Sequence, residues 1–315
     1  MMVDVNVSPL ATGPVRADDV ADAQSAGLTM PAVAGVEHHV VSVGGVGLHY
    51  AEAGKGPPLV LVHGWPQHWW SWRLIIGPLA QRYRVICPDI CGLGWSQGRQ
   101  TDYSLSRLAE DLIAILDALG LDRVRLVGHD WGAAIGYRAC LGWPQRFKRY
   151  VALGGLTPWS SDGAPLRLWL RPWHIPVLGL LDPRVATRLG VAENALRSWR
   201  HVGAFTPEEK QTYLAPLRRP VSAHTTQRYY RNVLMHEIPH YTRHHPGMRL
   251  RVPTLHLNGD HDPLTRGVPD SYRRYADDMT LELIPDCGHF VAEEQPGWLL
   301  DRLGEHFHDQ QGARA

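Results

Sequence analysis

The sequence predicts an α/β fold with a mostly parallel, doubly wound sheet and an inserted helical segment. Three observations lead to this prediction. In the first half of the chain, short apolar runs that end in loop signals alternate with stretches of helical periodicity. The alternation stops over residues 157–247, where Trp, Pro, Arg and His are frequent and no run resembles a strand. It resumes at residue 252 with two further strand-like runs and a last amphipathic helix.

The individual elements follow from periodicity and from the glycine and proline residues that bound them. Strands are predicted at residues 38–54 (a hairpin), 57–65, 83–96, 124–130, 149–155, 252–262 and 279–290. Helices are predicted at residues 104–119, from Trp131 onward, and at 297–307.

This pattern divides the chain into three parts. Residues 1–35 have no sustained period and are expected to form a flexible N-terminal extension. Residues 36–156 and 248–315 form the α/β core, and residues 157–247 form a helical cap. Ligands bind beyond the carboxyl ends of the strands in such sheets, so an insertion that emerges there would cover the site as a lid.

Composition excludes several classes of function. Lys and Arg total 32 against 31 Asp and Glu, which gives no basic footprint for nucleic acid. No apolar run reaches the roughly 20 residues that span a bilayer, and the N-terminus lacks the pattern of a secretory signal. The four cysteines are too few for a disulfide framework. We therefore expect reduced thiols, a cytoplasmic protein and no metal; the oligomeric state is open, with a homodimer among the options.

Three polar residues follow predicted strands in the order carboxylate, carboxylate, histidine: Asp130, Asp262 and His289. Alone, each has an ordinary interpretation, as a helix N-cap, a turn residue and a loop histidine. Together they lie at the ends of parallel strands, where side chains distant in sequence converge. Asp130 also lies in a G-x-x-x-G strand–turn–helix context that is typical of a nucleophile elbow. A catalytic triad is the favoured interpretation.

Five short motifs extend this pattern. They are HGWP (63–66), GHDWG (128–132), RYYRN (228–232), GDHD (259–262) and DCGHF (286–290). The set resembles the α/β-hydrolase family and, within it, the epoxide hydrolases, and the resemblance covers residues 38–305. It implies an eight-stranded, mostly parallel sheet with an inserted helical cap.

The resemblance also implies roles for particular residues. Asp130 would attack an sp³ carbon and form an alkyl ester, which a serine would not do; His289, oriented by Asp262, would then activate water. Backbone N–H groups of Trp65 and Trp131 would bind the oxyanion. The loop that carries Trp65 also contains His63, Gly64 and Pro66, and the Trp65–Pro66 bond is expected to be cis.

Ring opening of an epoxide needs an acid, and the resemblance assigns this role to Tyr230. Tyr229 is a neighbouring candidate for the pocket, but adjacent helical residues point about 100° apart, so only one should face the site. Many epoxide hydrolases carry a second cap tyrosine, and His174 occupies the comparable position here. Trp173 beside it is expected to form pocket wall.

The sequence thus predicts an epoxide hydrolase that uses water and a small hydrophobic epoxide, with no cofactor. The alternative is a haloalkane or haloacid dehalogenase with the same triad, in which the Trp131 indole would bind halide. Trp65 stands where many haloalkane dehalogenases have asparagine, which counts against it. A non-catalytic receptor on the same fold is less favoured, because such receptors commonly keep a serine where this chain has Asp130.

Overall fold

A nine-stranded sheet forms the centre of the structure. The computed structural model describes residues 7–10, 13–14, 28–155, 157–159, 174–203, 205–237, 249–263 and 270–308. The strands are β1 Val7–Leu10, β2 Gly13–Pro14, β3 Thr29–Met30, β4 Glu37–Val43, β5 Val46–Ala53, β6 Pro58–Val62, β7 Arg84–Pro88, β8 Val124–His129, β9 Phe147–Leu153, β10 Thr254–Gly259 and β11 Met279–Ile284. Their order in the large sheet is β1-β4-β5-β7-β6-β8-β9-β10-β11, and β2 pairs separately with β3.

The sheet is parallel from β7 to β11, and antiparallel pairs join β1, β4, β5 and β7. Strands β8 and β10 of this parallel part are buried at every position. Continuous apolar runs are typical of parallel strands that helices cover on both faces. The predicted mostly parallel, doubly wound sheet is confirmed.

The ninth strand comes from the N-terminal segment. Residues Val7–Leu10 pair antiparallel with β4, with Val7 opposite Val41. An edge strand presents unpaired backbone N–H and C=O groups, which a further segment of chain can satisfy. Of the residues predicted to form a flexible extension (1–35), the described residues 7–10, 13–14 and 29–30 therefore form strands. Strands β4 to β11 are the eight that were expected, and β1 is an additional ninth.

Helices cover both faces of the sheet. In the described part of the core they are α1 Arg73–Ala80, α2 Leu105–Ala118, α3 Trp131–Gly142, α9 Val291–Glu294 and α10 Pro296–Phe307. Alternate residues of β6 enter two different cores: Val60 packs with the cluster under α2 and α3, and Leu61 packs with the cluster under α1 and α10. This is the layered arrangement of a doubly wound sheet.

The described part of the cap is helical, as predicted. Its helices are α4 His174–Leu180, α5 Pro183–Arg188, α6 Val191–Ser198, α7 Pro207–Leu217 and α8 Pro220–Asn232, followed by a π-helical turn at Val233–Glu237. A buried polar cluster joins cap to core: Arg73 of α1 lies 2.5 Å from carboxylate oxygens of both Glu209 and Glu293. The hydroxyl of Tyr213 on α7 donates to the same Glu293.

The four cysteines are free and buried thiols. No helix within the described ranges combines the length and the apolar character needed to cross a membrane.

Candidate active site

The nucleophile elbow is a strained turn between β8 and α3. Asp130 has φ +51° and ψ −111°, a conformation that residues other than glycine rarely adopt. The flanking glycines permit the tight packing around it: a Cβ on Gly132 would lie 2.0 Å from the carbonyl oxygen of Val62, and one on Gly128 would lie 2.2 Å from the carbonyl oxygen of Gly132. Strain of this kind is typical of functional sites. The turn places the Asp130 carboxylate just beyond the carboxyl end of β8.

Two backbone N–H groups hold the Asp130 carboxylate. The N–H of Trp65 donates to Oδ1 at 3.0 Å, and the N–H of Trp131 also bonds to the carboxylate. Burial raises the pKa of Asp130 to about 6, although the nearby His289 and both N–H groups act in the opposite direction. The carboxylate is therefore ionised at neutral pH and becomes protonated in mildly acidic solution.

His289 lies between the two carboxylates. Its Nδ1 is 3.0 Å from Oδ2 of Asp262, and its Nε2 is 3.7 Å from Oδ2 of Asp130. A carboxylate can only accept, so Nδ1 carries the proton and Nε2 is directed towards Asp130. Burial lowers the pKa of His289, but Asp262, then Asp130 and Glu294, outweigh it and raise the pKa above the usual value. The structure thus brings together all three residues of the predicted triad.

The loop before the elbow is fixed by His63. Its Nε2 accepts the N–H of Ile90 at 3.0 Å, so its Nδ1 is the donor to the carbonyl oxygen of Gly64, also at 3.0 Å. Burial lowers the pKa of His63, which agrees with a neutral ring. The Trp65–Pro66 peptide bond that follows is cis, as expected.

The two neighbouring tyrosines of α8 face different surroundings. The Tyr230 ring lies edge-on to both Trp65 and Trp131, with centroids 5.4 Å away in each case. Burial, and next the charge of Asp130, raise the pKa of Tyr230 well above its usual value. The Tyr229 hydroxyl instead donates to the carbonyl oxygen of Cys91. The structure therefore places Tyr230 next to the nucleophile, whereas the Tyr229 hydroxyl is engaged elsewhere.

His174 begins α4 and lies in the same aromatic cluster. Its ring is parallel to that of Trp65, with centroids 6.2 Å apart, and its centroid is 5.5 Å from that of Tyr230. Burial, with a smaller contribution from His289, lowers the pKa of His174 to about 3, so the ring is neutral at physiological pH. Trp173, the predicted pocket wall, lies outside the described residues.

A mainly apolar cavity lies between the cap helices and reaches the site at Trp65. Leu178, Val191, Leu214 and Leu217 contribute to its lining, and no residue of the triad does. Trp65 therefore contributes to this cavity wall and, through its N–H, to the surroundings of the Asp130 carboxylate.

Sequence reasoning missed residues that hold His289 in place. The carbonyl oxygen of Trp199, at the end of α6, accepts the N–H of His289 at 2.8 Å. The ring of His129 approaches the carbonyl oxygen of His289 through Nε2, at 2.8 Å. Glu294 bonds to the backbone on both sides of His289. Nothing in the sequence indicates Trp199, because it lies in the cap, far along the chain from His289. Glu294 follows His289 by five residues, but a glutamate at that spacing is not specific for any role.

Among the described side chains, one cluster has the composition of a metal site: His201, His261 and Asp286, all exposed, with potential ligand atoms within 4.8 Å of one another. The two imidazole rings are stacked, with centroids 3.6 Å apart and planes at 7°. Imidazole lone pairs lie in the ring plane, so those of two parallel rings do not converge on one ion. The arrangement is a stacked pair at the surface, separate from the catalytic atoms.

Similar proteins include several epoxide hydrolases. The soluble epoxide hydrolase of Corynebacterium sp. (strain C12) is 29% identical over 284 residues, which are 86% of this chain and 97% of that protein. The solved structure of the epoxide hydrolase CorEH without ligand has a TM-score of 0.78 at 26% identity and covers 86% of this chain and 98% of that one. The cis-3-alkyl-4-alkyloxetan-2-one decarboxylase of Shewanella oneidensis is 26% identical over 298 residues, 86% of this chain and 88% of that protein.

These relatives confirm the likeness that the motifs predicted. A family model described as the alpha/beta hydrolase fold matches residues 57–296, which is more than half of the chain. With the elbow at Asp130, the triad completed by Asp262 and His289, and a helical cap above them, this chain belongs to the α/β-hydrolase fold family.

Proposed function

We propose that the protein is an epoxide hydrolase that converts an epoxide and water into a vicinal diol through an ester on Asp130. The observation that carries the proposal is the position of Tyr230 at the site of an elbow whose nucleophile is a carboxylate. Asp130 supplies the attacking oxygen, and its charge is close enough to raise the pKa of the tyrosine. The epoxide hydrolases among the relatives support the same activity.

In the first half-reaction, an oxygen of Asp130 attacks a ring carbon of the epoxide, and the carbon–oxygen bond of the ring breaks. The departing oxygen takes the proton of Tyr230, which leaves a hydroxyalkyl ester and a phenolate. The raised pKa of Tyr230 keeps the hydroxyl protonated until the alkoxide develops. The His174 ring lies in the same aromatic cluster, 5.5 Å from the Tyr230 ring between centroids, and we assign one of its ring nitrogens to hold the epoxide oxygen beside Tyr230.

In the second half-reaction, water attacks the carboxyl carbon of the ester. His289 takes a proton from this water through Nε2, while Asp262 fixes Nδ1–H and stabilises the imidazolium. Asp130 carries no charge while it is esterified, so one of the carboxylates that raise the pKa of His289 is then removed. The pKa of His289 is therefore lower in the ester than in the free enzyme, so the ring is more readily neutral and able to accept a proton during hydrolysis. When the tetrahedral intermediate collapses, the bond between the carboxyl carbon and the diol oxygen breaks, and that oxygen takes the proton of the imidazolium. The carboxylic acid left on Asp130 then ionises, and its proton restores the Tyr230 hydroxyl.

The oxyanion forms on Asp130 itself during ester hydrolysis. The N–H groups of Trp65 and Trp131 already bond to this carboxylate, so the same donors are in place for the tetrahedral intermediate. Preorganised donors of this kind contribute because they need no rearrangement during the reaction.

We further propose a hydrophobic substrate. The Tyr230 ring packs edge-on against Trp65 and Trp131, whose N–H groups bond to the nucleophile, and Trp65 also lines the apolar cap cavity. A substrate with an aryl or alkyl substituent would bury it among these side chains.

A substrate panel tests the assignment against its alternatives. Purified protein is incubated with styrene oxide, 1,2-dibromoethane, fluoroacetate and a cis-3,4-dialkyl oxetan-2-one, and diol, halide and carbon dioxide are measured. We expect diol from the epoxide at a rate that exceeds every other product. Halide without diol would assign a dehalogenase, and carbon dioxide without diol would assign the reaction named for the Shewanella relative.

Heavy-oxygen water tests the covalent step. After several turnovers in H₂¹⁸O, peptide mass analysis should find the label in Asp130, because hydrolysis occurs at its carboxyl carbon. In a single turnover the diol should contain no label. Label in the diol and none in Asp130 would show direct attack of water on the epoxide. Asp130→Asn is the control: its amide does not attack the epoxide, so no ester should form and no label should enter residue 130.

A further inference from the structure

We propose that Glu294 is a positioning residue that fixes His289 from both sides and ties it to the cap segment 199–202. The proposal rests on the function proposed above, in which His289 activates water. It concerns how the base is held and how the cap takes part in holding it.

The Glu294 carboxylate accepts four backbone N–H groups from two segments of the chain. Oε1 accepts the N–H of Phe290 at 3.0 Å, and Oε2 accepts that of Gly288 at 3.0 Å, so the residues before and after His289 are both bound. Oε2 also accepts the N–H groups of His201 and Val202 in the cap, at 2.7 and 2.9 Å. Hydrogen bonds to an ionised acceptor are the strong ones in proteins.

The backbone of His289 completes the same junction. Its own N–H donates to the carbonyl oxygen of Trp199 at 2.8 Å, so three consecutive N–H groups, from Gly288 to Phe290, are held by Glu294 or by the cap. The catalytic histidine therefore has no independent freedom along its backbone. A displacement of segment 199–202 would move the imidazole that the backbone carries.

The packing around Gly288 shows how closely these segments approach. A Cβ on this residue would lie 2.5 Å from the carbonyl oxygen of Trp199, 2.7 Å from the N–H nitrogen of His201 and 2.9 Å from Oε1 of Glu294. Only glycine at position 288 leaves room for both the cap segment 199–202 and the Glu294 carboxylate. The junction is thus a packed contact between loop and cap in addition to its hydrogen bonds.

The neighbouring carboxylate has a different role. Glu293 bonds to the side chains of Arg73 and Tyr213 and belongs to the ion-pair cluster under α7. Glu294 bonds to backbone donors, and its charge also helps to raise the pKa of His289. The two consecutive glutamates therefore have different roles: Glu293 joins α1 to α7, and Glu294 holds the backbone on both sides of His289.

Glu294→Gln tests the proposal, with Glu305→Gln as the matched control because the Glu305 side chain is 70% exposed on α10. A glutamine has one acceptor oxygen, so its NH₂ group would face either the N–H of Phe290 or the three N–H groups that Oε2 accepts. We expect ester hydrolysis to slow by about tenfold or more, the equivalent of one misplaced hydrogen bond, whereas alkylation of Asp130 stays within about twofold. The acidic limb of the hydrolysis pH profile should move to lower pH.

A readout without substrate separates this proposal from the proposed activity. In ¹⁵N-histidine-labelled protein, the His289 signals, assigned by their absence in His289→Gln, should titrate at lower pH in Glu294→Gln than in Glu305→Gln. An unchanged titration together with an unchanged hydrolysis rate would overturn the proposal. If the protein turns out to have another activity, the titration still decides whether Glu294 acts on His289.

A second variant keeps the test decisive if Glu294→Gln does not fold. Glu294→Asp retains the charge and shortens the side chain by one methylene, so it cannot reach both segments. We expect slow hydrolysis with faster backbone hydrogen exchange at His201 and Val202. Wild-type hydrolysis and exchange in this variant would show that the four bonds do not position the base.

Discussion

Gly64 and Asp130 approach so closely that no side chain fits between them: a Cβ on Gly64 would lie 2.4 Å from the Cβ of Asp130 and 2.7 Å from its Oδ1. This contact brings the next residue, Trp65, to a position where its N–H reaches the same Oδ1 at 3.0 Å. The missing side chain therefore aligns the Trp65 N–H with the atom that it would stabilise as an oxyanion in the proposed mechanism.

Gly64→Ala should accordingly disable the enzyme without unfolding it. The added methyl group must push the loop away from Asp130 and carry the Trp65 N–H with it. Losing one oxyanion donor costs about 10²–10³ in rate, and we expect kcat to fall by this amount. Single-turnover measurement of ester hydrolysis checks the prediction.

Gly304→Ala is the matched control because a Cβ there meets nothing within 4 Å and the residue lies inside α10. Activity should be unchanged, and the free energy of unfolding should rise by about 0.5–1 kcal/mol as helix propensity improves. Equal kcat values for the two variants would contradict the proposed role of the Gly64 contact.

His289→Gln should trap the covalent ester. Asp130 can still attack the epoxide, but no base remains to take the proton from water, so an adduct with the mass of protein plus epoxide should accumulate. Intact-protein mass spectrometry after mixing with styrene oxide detects it. His224→Gln, an exposed histidine on α8, should show no adduct at steady state, and an absent adduct in His289→Gln would argue against a covalent route.

The two tyrosines of α8 should separate chemistry from packing. Tyr230→Phe removes the proposed acid, and we expect alkylation to slow by about 10²–10⁴. Tyr229→Phe removes a hydrogen bond to the carbonyl oxygen of Cys91, so it should lower the free energy of unfolding by about 0.5–1.5 kcal/mol with little effect on alkylation. Stopped-flow quenching of tryptophan fluorescence and urea unfolding measure the two quantities. A larger alkylation defect in Tyr229→Phe would reverse the assignment.

The site residues differ in how far the sequence could predict them. The elbow and the triad could be predicted because each residue follows an apolar strand and the glycines mark the strained turn at Asp130. The helical phase left Tyr229 and Tyr230 as alternatives, and only the packing against Trp65 and Trp131 distinguishes them. Trp199 and Glu294 could not be assigned, because their partners are backbone groups, several of them distant in sequence, and no residue pattern reports such bonds.

The N-terminal segment shows the corresponding limit for the fold. Val7–Leu10 has no clear period of its own, and its pairing depends on the free edge of β4. A strand that is specified mainly by its partner cannot be recognised from its own residues.

Alkylation should fail in acid as Asp130 becomes protonated. Its pKa is raised to about 6, and only the ionised carboxylate attacks the epoxide, so the rate constant for alkylation should drop about tenfold for each pH unit below this value. The charge of His289 acts to lower the pKa of Asp130. In His289→Gln the acidic limb should therefore move to higher pH. A limb at the ordinary pKa of an aspartate, near 3.8, would contradict the burial of the nucleophile in the free enzyme.

Buried histidines should make the fold itself sensitive to acid. Burial is the first cause that lowers the pKa of several of them, to about 3 for His38 and His174 and to about 4 for His68 and His256. In the unfolded chain these rings titrate near 6.5, so between pH 6.5 and about 4 the unfolded state binds more protons than the folded state. Stability contributed by the neutral rings is present above pH 6.5 and is lost as the pH falls towards 4.

Each such histidine contributes a slope of up to about 1.4 kcal/mol per pH unit in this window. Asp130, with a raised pKa, binds a proton in the folded state first and offsets part of the loss between pH 6 and 4. Urea unfolding at a series of pH values should therefore show a free energy that decreases from pH 6.5 downward, and His38→Gln should reduce the slope by about one proton. A constant free energy over this window would mean that these rings take up protons without unfolding, and that the burial which lowers their pKa is relieved in the native state.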